Sequence, residues 1–244
     1  MKRVFVALTS ILQSLRLVVW WVAKLFALAY GTLFFHSDHV TLPTVWGCRF
    51  ILPKKGFSKY LLLSIMTGLY ELEWRPYFDS FIRSARFFVD VGAAADGYYS
   101  FRAFKMNKRI RSVALEPLQF EFEYLIKNVL INRASKRIIP LKLALGEGYG
   151  EILIGQEKVP MLSLDELVEM IDLPHVDVIK IDVEGAGLSV IQGALMTISK
   201  NRPIIFLEIH NDLENQALET LKTFGYNIII KKGKAVAIPQ TCRK

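Results

Sequence analysis

The sequence predicts an α/β fold in which a parallel sheet is covered by helices on both faces. From residue 86 onwards, apolar β-branched runs alternate with segments of helical periodicity. The runs are apolar on both faces, which is typical of parallel strands buried between two helical layers. With 244 residues, 52% of them hydrophobic, the chain is long enough for one large domain and a short additional segment.

Residues 1–35 are predicted to form a hydrophobic helix that associates with a membrane. Only two charged residues, Arg16 and Lys24, lie between residues 4 and 35, and the run 17–35 is long enough to cross a bilayer. The polar residues of this segment also share one sector of a helical wheel, as in a helix that lies in the interface. A spanning helix, an interfacial helix and a helix packed on protein are therefore all open. A cleaved signal peptide fits less well, because the two charges interrupt its apolar region.

The composition indicates where the protein works. Residues 1–70 contain eight Lys or Arg and one acid, a net charge of +7, whereas residues 71–244 carry only +1. This gradient favours an anionic membrane surface as a partner, and it gives no reason to expect nucleic acid. Cys48 and Cys242 lie far apart without metal-ligand spacing, which fits a reducing compartment and predicts no metal site. We expect the protein at the cytoplasmic face of a membrane.

Two segments separate the first helix from the α/β domain. Proline and glycine interrupt residues 36–57, which are predicted to be a linker with a short strand at Arg49–Leu52. Residues 58–85 are predicted to be a helical prelude, which begins with an apolar helix at Ser58–Tyr70 and continues through an aromatic-rich stretch. The α/β domain is then assigned to residues 86–244.

Within that domain the pattern predicts strands and helices in alternation. The strands are Phe87–Val91, Arg111–Leu115, Ile138–Leu143, Val176–Ile181, Pro203–Ile209 and Tyr226–Ile230. The helices are Tyr99–Met106, Gln119–Ile131, Leu164–Met170, Leu188–Ser199 and Asn211–Phe224.

The loop after the first of these strands is a candidate ligand site. In a doubly wound sheet, ligands bind where such a loop leads from a strand into a helix. Gly92 and Gly97 allow sharp turns, and the small side chains from Ala93 to Ala95 leave room for a ligand. Gly92, Ala94 and Gly97 also match a relaxed dinucleotide motif, so a nicotinamide-dependent oxidoreductase is one alternative.

Two carboxylates near this loop favour a different ligand. Asp90 precedes the loop, where it would repel a dinucleotide phosphate and attract an ammonium group. Glu116 ends the second strand, in position to accept both hydroxyls of a ribose. A ligand with an ammonium group and a ribose but no pyrophosphate is S-adenosylmethionine.

The residues from about Tyr70 to His210 resemble the FkbM family of class I, S-adenosylmethionine-dependent methyltransferases. The matching pieces occur in order: Tyr70-Glu71, Phe88–Ala93, Gly97–Ser100, Leu115–Pro117, Asn128 with Asn132, Ala144–Gly146, Ser163–Leu167, Val178–Ala186, Gly193-Ala194 and Arg202–His210.

This resemblance implies a Rossmann-like sheet of seven strands, mostly parallel, with the cofactor above the ends of the first strands. It implies that the methionine and ribose are lined by Asp90, Gly92, Ala93, Ser100 and Glu116, and that the adenine lies near Ala144 and Leu145.

Two positions depart from the family pattern. The family usually has an asparagine and one residue fewer between its two glycines, which affects the backbone contacts expected of Gly97. Gly187 replaces the acid that usually follows Glu-Gly-Ala. A module that binds the cofactor without catalysis is therefore a further alternative.

A set of candidate catalytic residues ends the fourth and fifth strands. Strand alternation predicts that Lys180, Asp182 and Glu184 share one side, and that Glu208 and His210 lie beside them. Removal of a proton from a hydroxyl group needs a general base of this kind. We expect Asp182 or His210 to take the proton, the two glutamates to position substrate or each other, and Lys180 to balance charge.

The function predicted from these observations is O-methylation with S-adenosylmethionine as methyl donor. The acceptor expected from the resemblance is a hydroxyl of a small molecule, a glycan or a lipid-linked sugar. The oxidoreductase and the non-catalytic module are the alternatives, and the sequence contains no information on oligomeric state.

Overall fold

The computed structural model describes residues 39–53 and 59–240, which fall into two compact units, one ending at Leu72 and the other beginning at Glu73. The predicted membrane helix of residues 1–35 lies outside the described residues. Among the residues that are described, no helix has the length and apolar character needed to cross a bilayer.

The first unit contains an antiparallel hairpin where the sequence pattern predicts a linker. Strand β1 (His39–Pro43) pairs with β2 (Arg49–Pro53), which confirms the predicted short strand. Alternate residues of β1 are buried, and Gly47, with φ of 84°, helps to close the turn. Helix α1 follows at Lys59–Thr67.

The second unit is built on a seven-stranded sheet, as predicted. Its strands are β3 (Phe87–Val91), β4 (Arg111–Leu115), β5 (Ile138–Leu141), β9 (Val178–Ile181), β10 (Ile204–Glu208), β11 (Tyr226–Lys231) and β12 (Lys234–Pro239). They lie in the order β11-β12-β10-β9-β3-β4-β5, and β12 is antiparallel to both of its neighbours. The order reverses between β3 and β9, so a crevice opens above their carboxyl ends.

The predicted strands match this sheet closely. Strands β3 and β4 have the predicted limits, and the other four predicted strands are present with ends shifted by one or two residues. The pattern did not predict β12, which inserts between β10 and β11.

Helices cover the sheet. They are α2 (Arg75–Ile82), α3 (Tyr98–Met106), α4 (Gln119–Ile131), α5 (Leu164–Met170), α6 (Gly187–Gln192), α7 (Leu195–Asn201) and α8 (Asp212–Thr223). The single helix predicted at Leu188–Ser199 is wrong, because the chain breaks at Gly193 into α6 and α7. A Cβ atom on Gly193 would stand 1.9 Å from the carbonyl oxygen of Gly146, so the break allows two backbone segments to touch.

A small second sheet between β5 and α5 was also not predicted. It consists of β6 (Ala144–Leu145), β7 (Gly150–Ile154) and β8 (Glu157–Leu162) in the order β6-β8-β7. Gly155 makes the turn of the β7–β8 hairpin with φ of 61°.

Helix α2 packs on the main sheet through an aromatic cluster. The ring of Phe78 lies 5.3 Å from Phe88, 4.8 Å from Tyr99 and 5.6 Å from Phe206, measured between centroids. These edge-on contacts fix the start of α2, and therefore Trp74, beside the ends of β9 and β10.

Candidate active site

The glycine loop after β3 is held between β4 and the segment after β9. The backbone N–H groups of Gly92 and Ala93 both donate to the carbonyl oxygen of Leu115, at 3.0 and 2.9 Å. Gly92 has φ of 76°, and a Cβ atom there would stand 2.0 Å from the carbonyl oxygen of Asp182. Only glycine fits this position.

The glycine loop has one residue more than the family pattern, and two of its residues adopt the left-handed backbone conformation. Ala94, which is exposed, has φ of 55°, a conformation that favours glycine or asparagine over alanine. Gly97 has φ of 56° and precedes α3, and its N–H donates to Ala93 O at 3.0 Å. A side chain at Gly97 would meet the end of the Leu125 side chain at 2.7 Å, and the positive φ also favours glycine there.

Asp90 offers a buried oxygen at the base of the loop. The residue is 1% exposed, and its Oδ2 accepts hydrogen bonds from the backbone N–H and the hydroxyl of Ser100, at 3.0 and 2.7 Å. Its Oδ1 has no hydrogen-bond partner among the described residues, and Lys180 Nζ is 3.8 Å away. Burial raises the pKa of Asp90, although Lys180 opposes this shift. A buried, unsatisfied carboxylate oxygen is suited to receive an ammonium group.

Glu116 is ordered by the same loop. Its Oε2 accepts from Ala94 N at 2.9 Å and its Oε1 accepts from Leu118 N at 3.0 Å. Each oxygen keeps a further lone pair, which matches two ribose hydroxyls. Burial raises the pKa of Glu116 to about 7, and nearby Glu121, which binds Ala95 N at 3.1 Å, adds to the shift.

The positions of Ala144 and Leu145 give less information. Both form β6 and are buried. Their contact with an adenine ring stays a prediction, as do the individual ligand contacts of the other residues expected around the cofactor.

Lys180 connects the glycine loop to the candidate catalytic groups. It is buried on β9, and its Nζ donates to the carbonyl oxygen of Gly92 at 2.9 Å and pairs with Asp182 Oδ2 at 3.1 Å. The same ammonium group lies 5.5 Å from the centroid of the Tyr99 ring. Lys180 therefore fixes the distance between the loop and Asp182.

Asp182, Glu208 and His210 come together as predicted from the strand ends. One oxygen or nitrogen atom from each lies within 4.8 Å of the others, and His210 Nε2 is 3.3 Å from Asp182 Oδ1. Burial opposes ionisation of Asp182, but Lys180 outweighs it and lowers the pKa of this carboxyl group. Burial raises the pKa of Glu208, even though Lys234 Nζ donates to its Oε2 at 2.6 Å. Asp182 is therefore ionised, whereas Glu208 beside it holds a proton more tightly than an ordinary glutamate.

Glu184 does not join this group. Strand β9 ends at Ile181, so the alternation of sides stops before Glu184, which is exposed and makes no hydrogen bond or ion pair with the other four candidates.

Gly187 stands where the family usually has an acid, and the space around it is occupied. Gly187 is buried, and its N–H donates to Glu214 Oε1 at 3.3 Å, so no space remains there for a longer side chain.

The spacing of Asp182, Glu208 and His210 is one that a metal ion can bridge. Two of the three groups, however, already pair with ammonium groups, Asp182 with Lys180 and Glu208 with Lys234. This charge balance suits proton transfer within the group.

Sequence reasoning missed two residues beside these groups, Trp74 and Lys234. Both line a small pocket with Tyr99, Phe206 and Glu208. Lys234 directly precedes the apolar run Ala235–Pro239, which is the signal that was available for it. Trp74 lies in an aromatic-rich stretch and carries no separate signal.

Comparison with protein families gives one extended match. Residues 90–228 match the family model described as the methyltransferase FkbM domain, which is more than half of the chain. The match begins at Asp90 and includes the glycine loop, Glu116 and the group around Asp182.

A curated relative is the hexuronic acid methyltransferase AglP of Haloferax volcanii. It is 31% identical over 116 residues, which cover 40% of this chain and 46% of AglP. The chain thus matches about half the length of that relative.

Two solved structures share the fold. Methyltransferase FkbM from Methylobacillus flagellatus KT superimposes with a TM-score of 0.52 and 19% identity, covering 75% of this chain and 55% of that chain. The METTL16 MTase domain gives a TM-score of 0.52 and 18% identity, covering 71% of this chain and 68% of that chain. These similarities confirm the predicted Rossmann-like methyltransferase fold.

Proposed function

This chain belongs to the FkbM methyltransferase family, and on that premise we propose that it transfers a methyl group from S-adenosylmethionine to a hydroxyl group of a sugar. The family confirms the predicted methyltransferase and its cofactor, and it excludes the oxidoreductase alternative. A sugar acceptor is supported by the similarity to AglP, a hexuronic acid methyltransferase.

The residues present fit the methyl donor. Asp90 Oδ1 is a buried oxygen without a hydrogen-bond partner among the described residues, and Gly92 brings the backbone close to the site. We assign the ammonium group to Asp90 and the ribose hydroxyls to Glu116. When bound, the donor supplies a methyl group on a sulfonium, so that a carbon–sulfur bond breaks as the oxygen–carbon bond forms and the thioether leaves.

The contact between Asp182 and His210 is the observation that carries the proposed reaction. Asp182 is kept ionised by Lys180, and it lies 3.3 Å from one ring nitrogen of His210. The other ring nitrogen is left for the acceptor hydroxyl. In the proposed reaction His210 takes the hydroxyl proton as the oxygen attacks, and Asp182 stabilises the imidazolium that results.

Methyl transfer assays with labelled S-adenosylmethionine test this function. We expect transfer to hydroxyl groups of hexosides or hexuronosides, and we expect His210→Gln and Asp182→Asn to lower kcat by about 10²- to 10⁴-fold. Both variants should still bind S-adenosylhomocysteine in calorimetry. Glu219→Gln changes an exposed acid on α8 and serves as the matched control.

Three outcomes would contradict the proposal in different ways. Transfer to amines alone would exclude O-methylation. Full turnover by Asp182→Asn would remove the assigned role of this carboxylate. Tight binding of S-adenosylhomocysteine with no transfer to any sugar would instead favour the module that binds cofactor without catalysis.

We also propose that the enzyme acts at the cytoplasmic face of a membrane, on a glycan or lipid-linked acceptor. The support is the sequence of residues 1–35 and the net charge of +7 in residues 1–70. S-adenosylmethionine is a cytoplasmic metabolite, so the domain that binds it must face the cytoplasm.

A further inference from the structure

A small pocket lies beside Glu208, one of the three grouped polar residues. Trp74, Tyr99 and Phe206 form its aromatic walls, and Lys180, Glu208 and Lys234 are its polar lining. The cavity of about 20 Å³ has room for roughly one water-sized group, but not for a sugar ring. Any acceptor that uses this pocket therefore inserts a single functional group.

Trp74, which lines the pocket, has an unused hydrogen-bond donor. The residue is 4% exposed, and its indole Nε1–H has no acceptor among the described residues. Indole nitrogen is a donor only, and buried donors in folded proteins almost always have a partner. Because Trp74 lines the pocket, its unpaired donor is suited to a ligand that brings an oxygen.

The polar lining favours the same kind of ligand. Two of its three groups are ammonium groups, and the one carboxylate, Glu208, accepts from Lys234 at 2.6 Å. A group that enters the pocket thus meets the Trp74 side chain and the Lys234–Glu208 pair. Oxygen atoms of a carboxylate or a hydroxymethyl group match both.

The pocket is also within reach of the reaction. Glu208 lines it and belongs to the group of three residues whose polar atoms lie within 4.8 Å of one another. In a hexose or hexuronic acid, the exocyclic carbon is attached to the ring carbon adjacent to one that bears a hydroxyl. A sugar that inserts its exocyclic oxygen can therefore present that hydroxyl to His210.

We propose that this pocket is the specificity site for the acceptor and that Trp74 Nε1–H donates a hydrogen bond to the exocyclic oxygen of the sugar. This inference rests on the proposed function. Trp74 and Lys234 both lie outside the matched residues 90–228, so they are features of this chain that the family match does not include. Trp74 and Lys234 then decide which sugar is methylated, while His210 and Asp182 carry the chemistry.

Steady-state kinetics with paired acceptors test the proposal. The pair is a methyl glucuronoside and the matching methyl glucoside, which differ only in a carboxylate or hydroxymethyl group. We expect Trp74→Phe, which keeps an aromatic ring and removes the N–H, to raise KM by about tenfold or more with little change in kcat. Trp74→His, which retains a ring N–H, should recover part of the loss.

Lys234→Met distinguishes a carboxylate from a hydroxymethyl group as the source of the oxygen that enters the pocket. If the pocket takes a carboxylate, this variant raises KM for the glucuronoside far more than for the glucoside. Equal effects on both acceptors assign a hydroxymethyl group instead. Lys232→Met is the matched control, since Lys232 is exposed and pairs with Glu73 at 2.6 Å.

A measurement that needs no turnover separates this inference from the proposed function. With S-adenosylhomocysteine bound, each sugar is titrated while the indole ¹⁵N–H signal of Trp74, identified by its loss in Trp74→Phe, is followed by NMR. A shift of that signal with one sugar supports the pocket even if neither sugar is methylated. Absence of methylation would then contradict the proposed sugar methylation and not the pocket. The inference is overturned if methylation occurs with no shift and no change of KM in Trp74→Phe.

Discussion

Lys180 determines the electrostatics of the site because it contacts both of its halves. Its ammonium group binds the Gly92 carbonyl oxygen and Asp182, and it lies 3.8 Å from Asp90. Buried lysine is costly unless it is paired, and here it faces two carboxylates. The glycine loop and the proposed catalytic pair are therefore coupled through one side chain.

Gly92 has no room for a side chain. We expect Gly92→Ala to lower the free energy of unfolding by about 2–4 kcal/mol, because the new Cβ meets the Asp182 carbonyl oxygen and the positive φ is strained. Binding of S-adenosylhomocysteine should be lost as well. Urea unfolding and calorimetry measure both effects.

Gly148→Ala is the control for this substitution, since a Cβ atom there meets nothing within 4 Å. Its free energy of unfolding should differ from that of the wild type by less than about 0.5 kcal/mol. A Gly92→Ala protein as stable as the control would contradict the described loop.

Binding of the methyl donor should depend on pH through Glu116. The pKa of about 7 means that this carboxyl gains a proton as pH falls from 8 to 6. Ribose hydroxyls donate to the ionised form, so binding lowers the pKa and releases a proton. We expect affinity to weaken by up to about tenfold at pH 6 relative to pH 8.

Calorimetry in two buffers of different ionisation enthalpy detects the released proton. Glu116→Gln should bind weakly and without this pH dependence. Asp96→Asn is the control, because burial raises the pKa of Asp96 to about 6 but its Oδ1 binds Tyr98 N within the loop. An affinity that stays constant from pH 6 to 8 in the wild type would exclude the ribose contact assigned to Glu116.

Site residues were predictable where they lie at the ends of strands with continuous apolar patterns. Asp90, Lys180, Asp182, Glu208 and His210 follow from such strands. Glu184 shows the limit of this reasoning, since strand alternation applies only while the strand lasts. Contacts that depend on the unpredicted strand β12 could not be derived. Lys234 binds Glu208, 26 residues earlier, only because β12 lies beside β10.

The ends of helices and strands were likewise predictable only where a local sequence pattern determines them. Helix α4, with an uninterrupted apolar stripe, has the predicted ends, whereas the α6–α7 break depends on the approach of Gly146, which no local pattern contains. The strands of the small sheet have two to six residues, and β7 alternates between half-buried and exposed residues. Their pairing depends on the hairpin at Gly155 rather than on a strong apolar signal.

Helix α5 has a capping box that should be important for stability. Ser163 Oγ accepts from Glu166 N at 3.0 Å, and Glu166 Oε2 accepts from Ser163 N at 2.8 Å. We expect Ser163→Ala to lower the free energy of unfolding by about 1 kcal/mol without changing donor affinity. Thermal or urea unfolding measures the change. Ser80→Ala, at an exposed position within α2, should have less than half this effect, and a similar loss in both variants would contradict the cap.

The distribution of charge leads to a prediction for the chain of 244 residues. The +7 of residues 1–70 should draw it to anionic vesicles and not to neutral ones. Co-sedimentation with vesicles of phosphatidylserine and phosphatidylcholine tests this at low and high salt. An interfacial helix is released by high salt, whereas a spanning helix resists it. No binding to either vesicle would exclude the proposed membrane association.

The insertion of β12 between β10 and β11 has a consequence for biosynthesis. A nascent chain that has reached residue 233 already contains the glycine loop, Asp182 and His210, yet β10 is then an open edge and Lys234 is absent. Open strand edges recruit other chains and promote aggregation. The pocket beside Glu208 and the protected sheet are therefore completed in the same late step of synthesis, so a prematurely terminated chain would lack the proposed acceptor pocket and be prone to removal by quality control.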